Sequence, residues 1–596
     1  DADAQTADKG GISQQMLDEI RKGWSGTPEE KALRNAVTHT GINTIALNNE
    51  NEAYRDTHFS DEVRTKGISN QKSSGRCWLF SGLNVLRSKF IEDQNTGKFQ
   101  FSQNYCFFWD QLEKANLFLE SIIETAHLPM DDRRVEWLFK NAIGDGGQFT
   151  GVADLIMKYG VVPAEVFPET NSSNNTSQMR MLLAWKLKEF GLELRRIGGI
   201  AFVEANKDAN KAKREKINAE LQARKVEMLQ TVYRFLVMNL GEPPVEFDWT
   251  LYDAAGNPVS TKHYTPLSFY EEYLNIDLKN NYVLFMNDPT RAYYKTYEID
   301  MDRHTYDGEN WLYVNLPIEE IEQMAIASIK GGDPMYFSCD VGKFLDREKG
   351  FLDVNYFDYS SLMGSPFGMS KEERILTGAS GSSHAMTLCA VDLNENGRPR
   401  KWKVENSWGM TGNDGYLIMT EEWFREYMFR LVVDKKYVPA GTLELLKQKP
   451  ILLPPWDPMF DEDDSEPFAP EKTEGKVPDM NIRINQVISS SPMAPRINEI
   501  YEMNIKDGQM NTFLPFIGTS DNVGYGEDPS IQINCPLEKI SVKDKGKKVE
   551  YRFECVDSNN LRWNVYLTVF EGESISARFN SSSRSPMTYN GTIVKE

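Results

Sequence analysis

Histidine and cysteine are scarce in this chain, with six of each among 596 residues. No Cys-x-x-Cys and no His-Glu-x-x-His occurs, and the histidines are scattered, so the spacings that hold a metal ion are missing. No apolar run reaches the roughly 18 residues that a membrane-crossing helix requires. Positive charge is also short: 67 Lys and Arg face 88 Asp and Glu, for a net charge of −21. That balance argues against a phosphate-binding surface, so nucleic acid is not an expected partner. The basic cluster Lys211–Lys216 lies in a highly charged helical stretch and reads as a solvated face, with nucleic-acid contact as the competing reading. A starting Met is absent too. The chain opens Asp-Ala-Asp-Ala, which points to a removed signal peptide or tag.

What is present allows a sizeable core: 40% of residues are hydrophobic and 12 are Trp. The stretch from Asn70 to Phe90 organises the rest. Leu79, Leu83, Leu86 and Phe90 fall on one face of a helix. The small, polar run Lys72-Ser-Ser-Gly-Arg76 reads as a turn feeding that helix. Cys77 is then expected in the first turn, where unpaired N–H groups and the helix dipole favour a negative sulfur and a lowered thiol pKa. Gln71 stands six positions earlier. A turn would bring its side-chain amide toward the sulfur, where it and the Cys77 N–H would hold an oxyanion. The competing reading of Cys77 is a buried, inert thiol.

Two distant segments complete a constellation. His384 stands before the β-rich run that ends at Leu393, and Asn406 ends the strand that carries Trp402 and Val404. A short turn at 394–397 would make these strands antiparallel neighbours, with His384 beside Asn406. Nucleophile, base and a residue to orient the base are then all present. Cys106, Cys339 and Cys389 sit in apolar surroundings and read as core. Cys535 and Cys555 lie on predicted strands, either as a disulfide or as separate thiols.

Gln71-x5-Cys77-Trp78, His384 before its strand and Asn406-Ser-Trp-Gly resemble the papain superfamily of cysteine peptidases. More closely, the chain is similar to the bleomycin hydrolase/aminopeptidase C branch. The stretches SGRCWLFS, FSQNYCFFWDQLEKAN (from Phe101), DGGQF (from Asp145), CDVGK (from Cys339) and PPWDPM (from Pro454) carry that likeness, from about residue 10 to about residue 460. The resemblance implies an α+β fold: a papain-like helical half and β half with helical insertions. It implies acyl transfer by Cys77, His384, Asn406 and Gln71, with Trp408 shielding the His–Asn bond and Gly146 and Gly147 bonding the substrate main chain. A plain turn is the competing reading of the two glycines. The expected partners are peptide substrates and further copies of the chain, hexameric by resemblance. No metal or organic cofactor is called for.

One departure stands out. Members of the branch end a few residues past the motif seen here at Trp456–Met459, and their terminal carboxylate meets the substrate's amino group. This chain continues as Phe460-Asp-Glu-Asp-Asp-Ser-Glu466. Asp461, Asp463 and Asp464 are therefore candidates to replace the missing carboxylate, against the plain reading of a solvated linker. The alternatives are an open-cleft endopeptidase, a tail that blocks the cleft until cut, and an idle papain-like scaffold. The expected organisation is a helical arm over 1–60, a peptidase domain over 61–459, an acidic linker over 460–479 and a non-catalytic β-sheet domain over 480–596. The ending Ser585–Gly591 resembles a β-domain common in exported proteins of Gram-negative bacteria, which implies a bacterial protein exported to the periplasm, cell surface or medium, with a cytoplasmic protein as the alternative.

Overall fold

The structure, a computed structural model, describes residues 10–54, 56–205, 211–460, 463–464, 476–489, 500–516, 530–559, 561–581 and 584–594. The chain divides into two compact units, Asp1–Pro467 and Phe468–Glu596.

The first unit has a helical half and a β half. The helical half is built on α1 (Cys77–Gln94), α2 (Gln103–Glu124) and α3 (Phe149–Tyr159). Its α1 is buried nearly all round and ends on Asn95, whose left-handed backbone (φ 47°) caps the last turn. Gly82 lets α3 cross it closely, since a Cβ there would lie 2.7 Å from Val152. Two long helices, α4 (Ser177–Ala205) and α5 (Lys211–Leu240), pack against α2 as an insertion. In α5 the buried residues Ile217, Leu221, Met228, Val232, Leu236 and Leu240 share one face. Lys211, Lys213 and Lys216 are exposed at its start.

The β half centres on β1 (Tyr282–Met286), β2 (Met335–Cys339), β3 (His384–Leu393), β4 (Pro399–Glu405), β5 (Tyr416–Thr420) and β6 (Met428–Asp434). Their order is β1-β6-β2-β3-β4-β5, antiparallel throughout. Helix α1 covers β3 on one side, and α6 (Ile318–Lys330) also packs on it. Strand β3 is therefore buried over nine of its ten residues, as its continuous apolar run requires. Among the described residues of this unit, two large hydrophobic cores result. One, in the helical half, includes Cys77 and Trp78; the other includes Cys339, Trp402 and Trp408. The candidate site lies where they meet.

In the N-terminal arm the helix Gln14–Arg21 buries no residue, and Ile12, Met16, Ile20 and Trp24 are exposed.

Among the described residues, the second unit is one antiparallel sheet of nine strands: β7 (Met480–Ser489), β8 (Tyr501–Lys506), β9 (Gln509–Leu514), β10 (Ile531–Pro536), β11 (Glu538–Asp544), β12 (Lys548–Val556), β13 (Arg562–Phe570), β14 (Ser574–Asn580) and β15 (Met587–Ile593). The order is β10-β9-β8-β7-β15-β14-β13-β12-β11. A bridge from Ile533 to Asp557 brings the two ends of the sheet toward each other. Alternating residues such as Trp563, Val565 and Leu567 fill its core. Cys535 and Cys555 are separate thiols, so the disulfide reading is set aside.

Candidate active site

Cys77 is the first residue of α1, and its side chain is fully buried. Its sulfur accepts a hydrogen bond from the Ala385 N–H at 3.4 Å. Ala385 is the second residue of β3, so the Cα of His384 lies within about 6 Å of the sulfur. The partner strand β2 holds that position, with Cys339 opposite His384.

His384 Nε2 lies 2.8 Å from Asn406 Oδ1. The Ser407 N–H donates to the same oxygen at 2.8 Å, which sets the amide with its oxygen toward the ring. An amide oxygen only accepts, so Nε2 carries the proton in this contact. The rings of Trp408 and His384 are 4.7 Å apart at a 34° tilt, and Trp408 is buried over the pair.

The next residue along, Ser407, holds Gln71. Its hydroxyl donates to Gln71 Oε1 at 2.6 Å, and its carbonyl accepts from the Gln71 N–H at 2.8 Å. Gln71 Nε2 donates to the Ser74 carbonyl at 2.6 Å, within the turn that leads to Cys77. Cys77, His384, Asn406, Gln71 and Trp408 thus converge on one place.

Two residues that the sequence reading left out stiffen this turn. Arg76 is fully buried, pairs with both oxygens of Glu169 at 2.9 and 3.0 Å, and donates from Nε to Ser74 Oγ at 2.9 Å. Asp145 accepts from the Gly75 N–H (2.7 Å) and Arg180 (2.7 Å), while its carbonyl accepts from Trp78 Nε1 at 2.8 Å.

Gly146 and Gly147 follow. A Cβ on Gly147 would lie 2.2 Å from His304 Cε1 and 2.8 Å from Trp78, so no side chain fits. Beneath lies a buried charge cluster in which Lys114 pairs with Asp110 at 3.2 Å and Asp110 bonds His304. Burial works against the Asp110 charge, but Lys114 and His304 hold its carboxyl below the usual range. The open side of Gly147 is taken by the chain itself. Asp463 donates to the Gly147 carbonyl at 3.1 Å and accepts from its N–H at 3.4 Å.

The acidic run is therefore not a free linker at this point. Asp463 is fully buried. Its carboxylate accepts from Tyr336 Oη at 2.6 Å and Ser382 Oγ at 2.8 Å, with Arg430 at 3.5 Å. Burial raises its carboxyl, against the pull of Arg430. Asp464 donates its N–H to the Ser383 carbonyl at 3.1 Å. Its side chain is exposed and borders an open pocket of 380 Å³ shared with Asp340, Lys343 and Ser380–Ser383. Asp461 lies outside the described residues.

The helix-end lowering expected for Cys77 is outweighed in this arrangement. Burial pushes the thiol well above its ordinary range, and the Asp463 and Asp464 carboxylates push it further, against the N–H groups of Ala385 and Trp78.

Comparison with known proteins follows the same division of the chain. Residues 11–460 match the sequence profile of the peptidase C1-like family, and residues 472–593 match a domain of unknown function, DUF4251. The chain is 39% identical to aminopeptidase G of Lactobacillus delbrueckii subsp. lactis over 450 residues, covering 75% of this chain and 99% of the relative. It is 37% identical to bleomycin hydrolase of Mus musculus over 463 residues, covering 75% and 98%. The crystal structure of PepW from Lactobacillus rhamnosis HN001 aligns with a TM-score of 0.71 at 36% identity, covering 76% of this chain and 100% of that one.

Proposed function

The chain belongs to the peptidase C1-like family, and on that premise we infer that it is a cysteine-type aminopeptidase. It removes amino-terminal residues from peptides through a thioester on Cys77. Relatives that carry the names aminopeptidase and bleomycin hydrolase over three quarters of the chain favour this over an endopeptidase or an idle scaffold.

One observation carries the exopeptidase part. Asp463 exchanges main-chain hydrogen bonds with Gly147. A substrate extending many residues toward its amino terminus from the reacting carbonyl has no free edge to lie on there. One that begins at the cleft does not need it.

In this reading Cys77 passes its proton to His384, and the thiolate attacks the carbonyl of the first peptide bond. His384 then protonates the leaving amine and afterwards takes a proton from the water that splits the thioester. Asn406 keeps the ring facing the sulfur without adding charge, and Trp408 keeps water from their bond. Gln71 and the Cys77 N–H stabilise the tetrahedral oxyanion, at about 3–4 kcal/mol per donor. Asp464 is the best-placed carboxylate for the substrate ammonium, because it is exposed beside the open pocket. Their attraction at about 4 Å is roughly 1 kcal/mol in water and several-fold more in a drier cleft. Asp463 is engaged in holding the segment down.

The β unit is read as non-catalytic, and no histidine follows His384 in the sequence. Assembly with further copies is supported by the exposed stripe Ile12, Met16, Ile20 and Trp24. Export in a bacterium is supported by the resemblance at Ser585–Gly591. The deciding measurement is hydrolysis of aminoacyl amides by Cys77→Ala, with folding followed by circular dichroism. Activity should fall below about a hundredth with the fold kept; more than that would mean another group carries the chemistry. Wild type should also reject N-acetylated peptides, and equal rates on both forms would remove the aminopeptidase assignment.

A further inference from the structure

A short hairpin beside Trp408 carries a cation on the side where the leaving group departs. On the aminopeptidase reading above, we propose that Arg347 binds the terminal carboxylate of the departing peptide, so that the enzyme favours short substrates, tripeptides above all.

The direction of the substrate makes the case. Asp463 takes the edge of Gly147, so an extended peptide has no free edge on that side. The portion beyond the scissile bond runs the other way, past the imidazole that protonates its amine. Beyond the imidazole stands Trp408, whose ring is 4.7 Å from that of His384. Over Trp408 in turn lies the guanidinium of Arg347, its carbon 5.1 Å from the ring centre. These two contacts place the cation within about 10 Å of the imidazole. An extended residue spans about 3.3–3.6 Å, and a charge-assisted hydrogen bond adds about 2.8 Å. A leaving portion of two residues thus brings its terminal carboxylate to the guanidinium, and a single residue falls short.

The cation is also held in place. Arg347 sits at the tip of the hairpin that pairs Leu345–Asp346 with Phe351–Leu352. Phe351 and Leu352 pair with Ile418 and Met419 of β5, and the Ile418 N–H donates to the Gly350 carbonyl at 2.8 Å. Gly350 has a φ of 68°, and a Cβ on it would lie 2.3 Å from the Asn413 nitrogen, so the tip is pressed on the loop that follows Trp408. Asp346 turns its carboxylate into the hairpin, accepting from the Lys349 N–H at 2.9 Å and from the Tyr356 hydroxyl. Glu348 and Lys349 are exposed and opposite in sign.

Arginine suits the task. Its planar fork offers two parallel N–H groups to a carboxylate while its face stays on an indole. Arg347 is half-buried, which strengthens its attraction for an anion over that of a fully solvated charge. In a chain of net charge −21 most of the surface repels the acidic end of a peptide, and a fixed cation past the imidazole is where that end is welcome.

The test is the initial rate of hydrolysis of trialanine and of its carboxamide, which differ only in the terminal charge, by wild type, Arg347→Gln and Arg347→Lys. Wild type should favour trialanine by about tenfold in kcat/KM, with the difference residing in KM. Added salt should shrink that preference. Arg347→Gln should bring the ratio of the two substrates close to one, and Arg347→Lys, a cation without the fork, should fall between. A wild-type ratio of one or below overturns the proposal, as does an Arg347→Gln ratio equal to that of wild type. An enzyme that cleaves both peptides equally well loses only the carboxylate site; one that cleaves neither, nor any aminoacyl amide, loses the peptidase reading with it.

Discussion

Gly147 and Asp463 pair main chain to main chain, the glycine offering an edge that His304 and Trp78 have stripped of room for a side chain. The edge that would receive an extended substrate is thus occupied by the chain's own continuation.

Gly147→Ala should damage both stability and turnover. The added methyl meets His304 at 2.2 Å and Trp78 at 2.8 Å, over the buried Asp110–Lys114 pair, so rings or backbone must shift. The expected cost is about 1–3 kcal/mol of stability. Denaturant unfolding and kcat/KM on aminoacyl amides, measured together, check it. A variant with unchanged midpoint and rate would show that the site tolerates the shift.

Asp464→Asn should make Cys77 easier to ionise. The carboxylate of Asp464 opposes a negative sulfur, so removing its charge lowers the thiol pKa. The pH midpoint of iodoacetamide alkylation should move downward from its wild-type position. A midpoint that stays put would mean that this carboxylate does not act on the sulfur in solution.

Asn406→Ala removes the acceptor for His384 Nε2 and for the Ser407 N–H. The ring loses its orientation while Cys77 keeps its place on α1. We expect kcat to fall by about 10²-fold with KM nearly unchanged. A rise in KM at constant kcat would point instead to a collapsed cleft.

Arg76→Ala leaves Glu169 without its buried partner and unties the turn before Cys77. Breaking such a pair costs about 3–5 kcal/mol. Urea unfolding followed by tryptophan fluorescence should show the loss. Glu169→Gln, which keeps one acceptor for the guanidinium, should lose less.

The meeting of Cys77, His384 and Asn406 was legible because each lies at the end of a regular element, and Gln71 stands in the turn that feeds α1. Helix periodicity after Leu79 and strand alternation at Trp402 and Val404 locate those ends, and a short turn dictates that β3 and β4 pair. The role of Asp463 was hidden for the opposite reason. In sequence it belongs to a run of acids, which reads as solvated. It is buried because Arg430, Tyr336 and Ser382, from three separate parts of the chain, converge on it. Arg76 and Asp145 were equally opaque, since their partners Glu169 and Arg180 are distant in sequence. The upward push on the Cys77 thiol was hidden too, because a helix end supplies only a local field. Desolvation and two facing carboxylates depend on what closes over the sulfur.

Three consecutive residues, Asn406, Ser407 and Trp408, attend to separate parts of the centre: the imidazole, the side chain of Gln71, and the cover above the ring. A displacement of this tripeptide therefore detunes all of them at once. Competence should appear as a single step when the sheet closes during folding, with no half-working intermediate along the way.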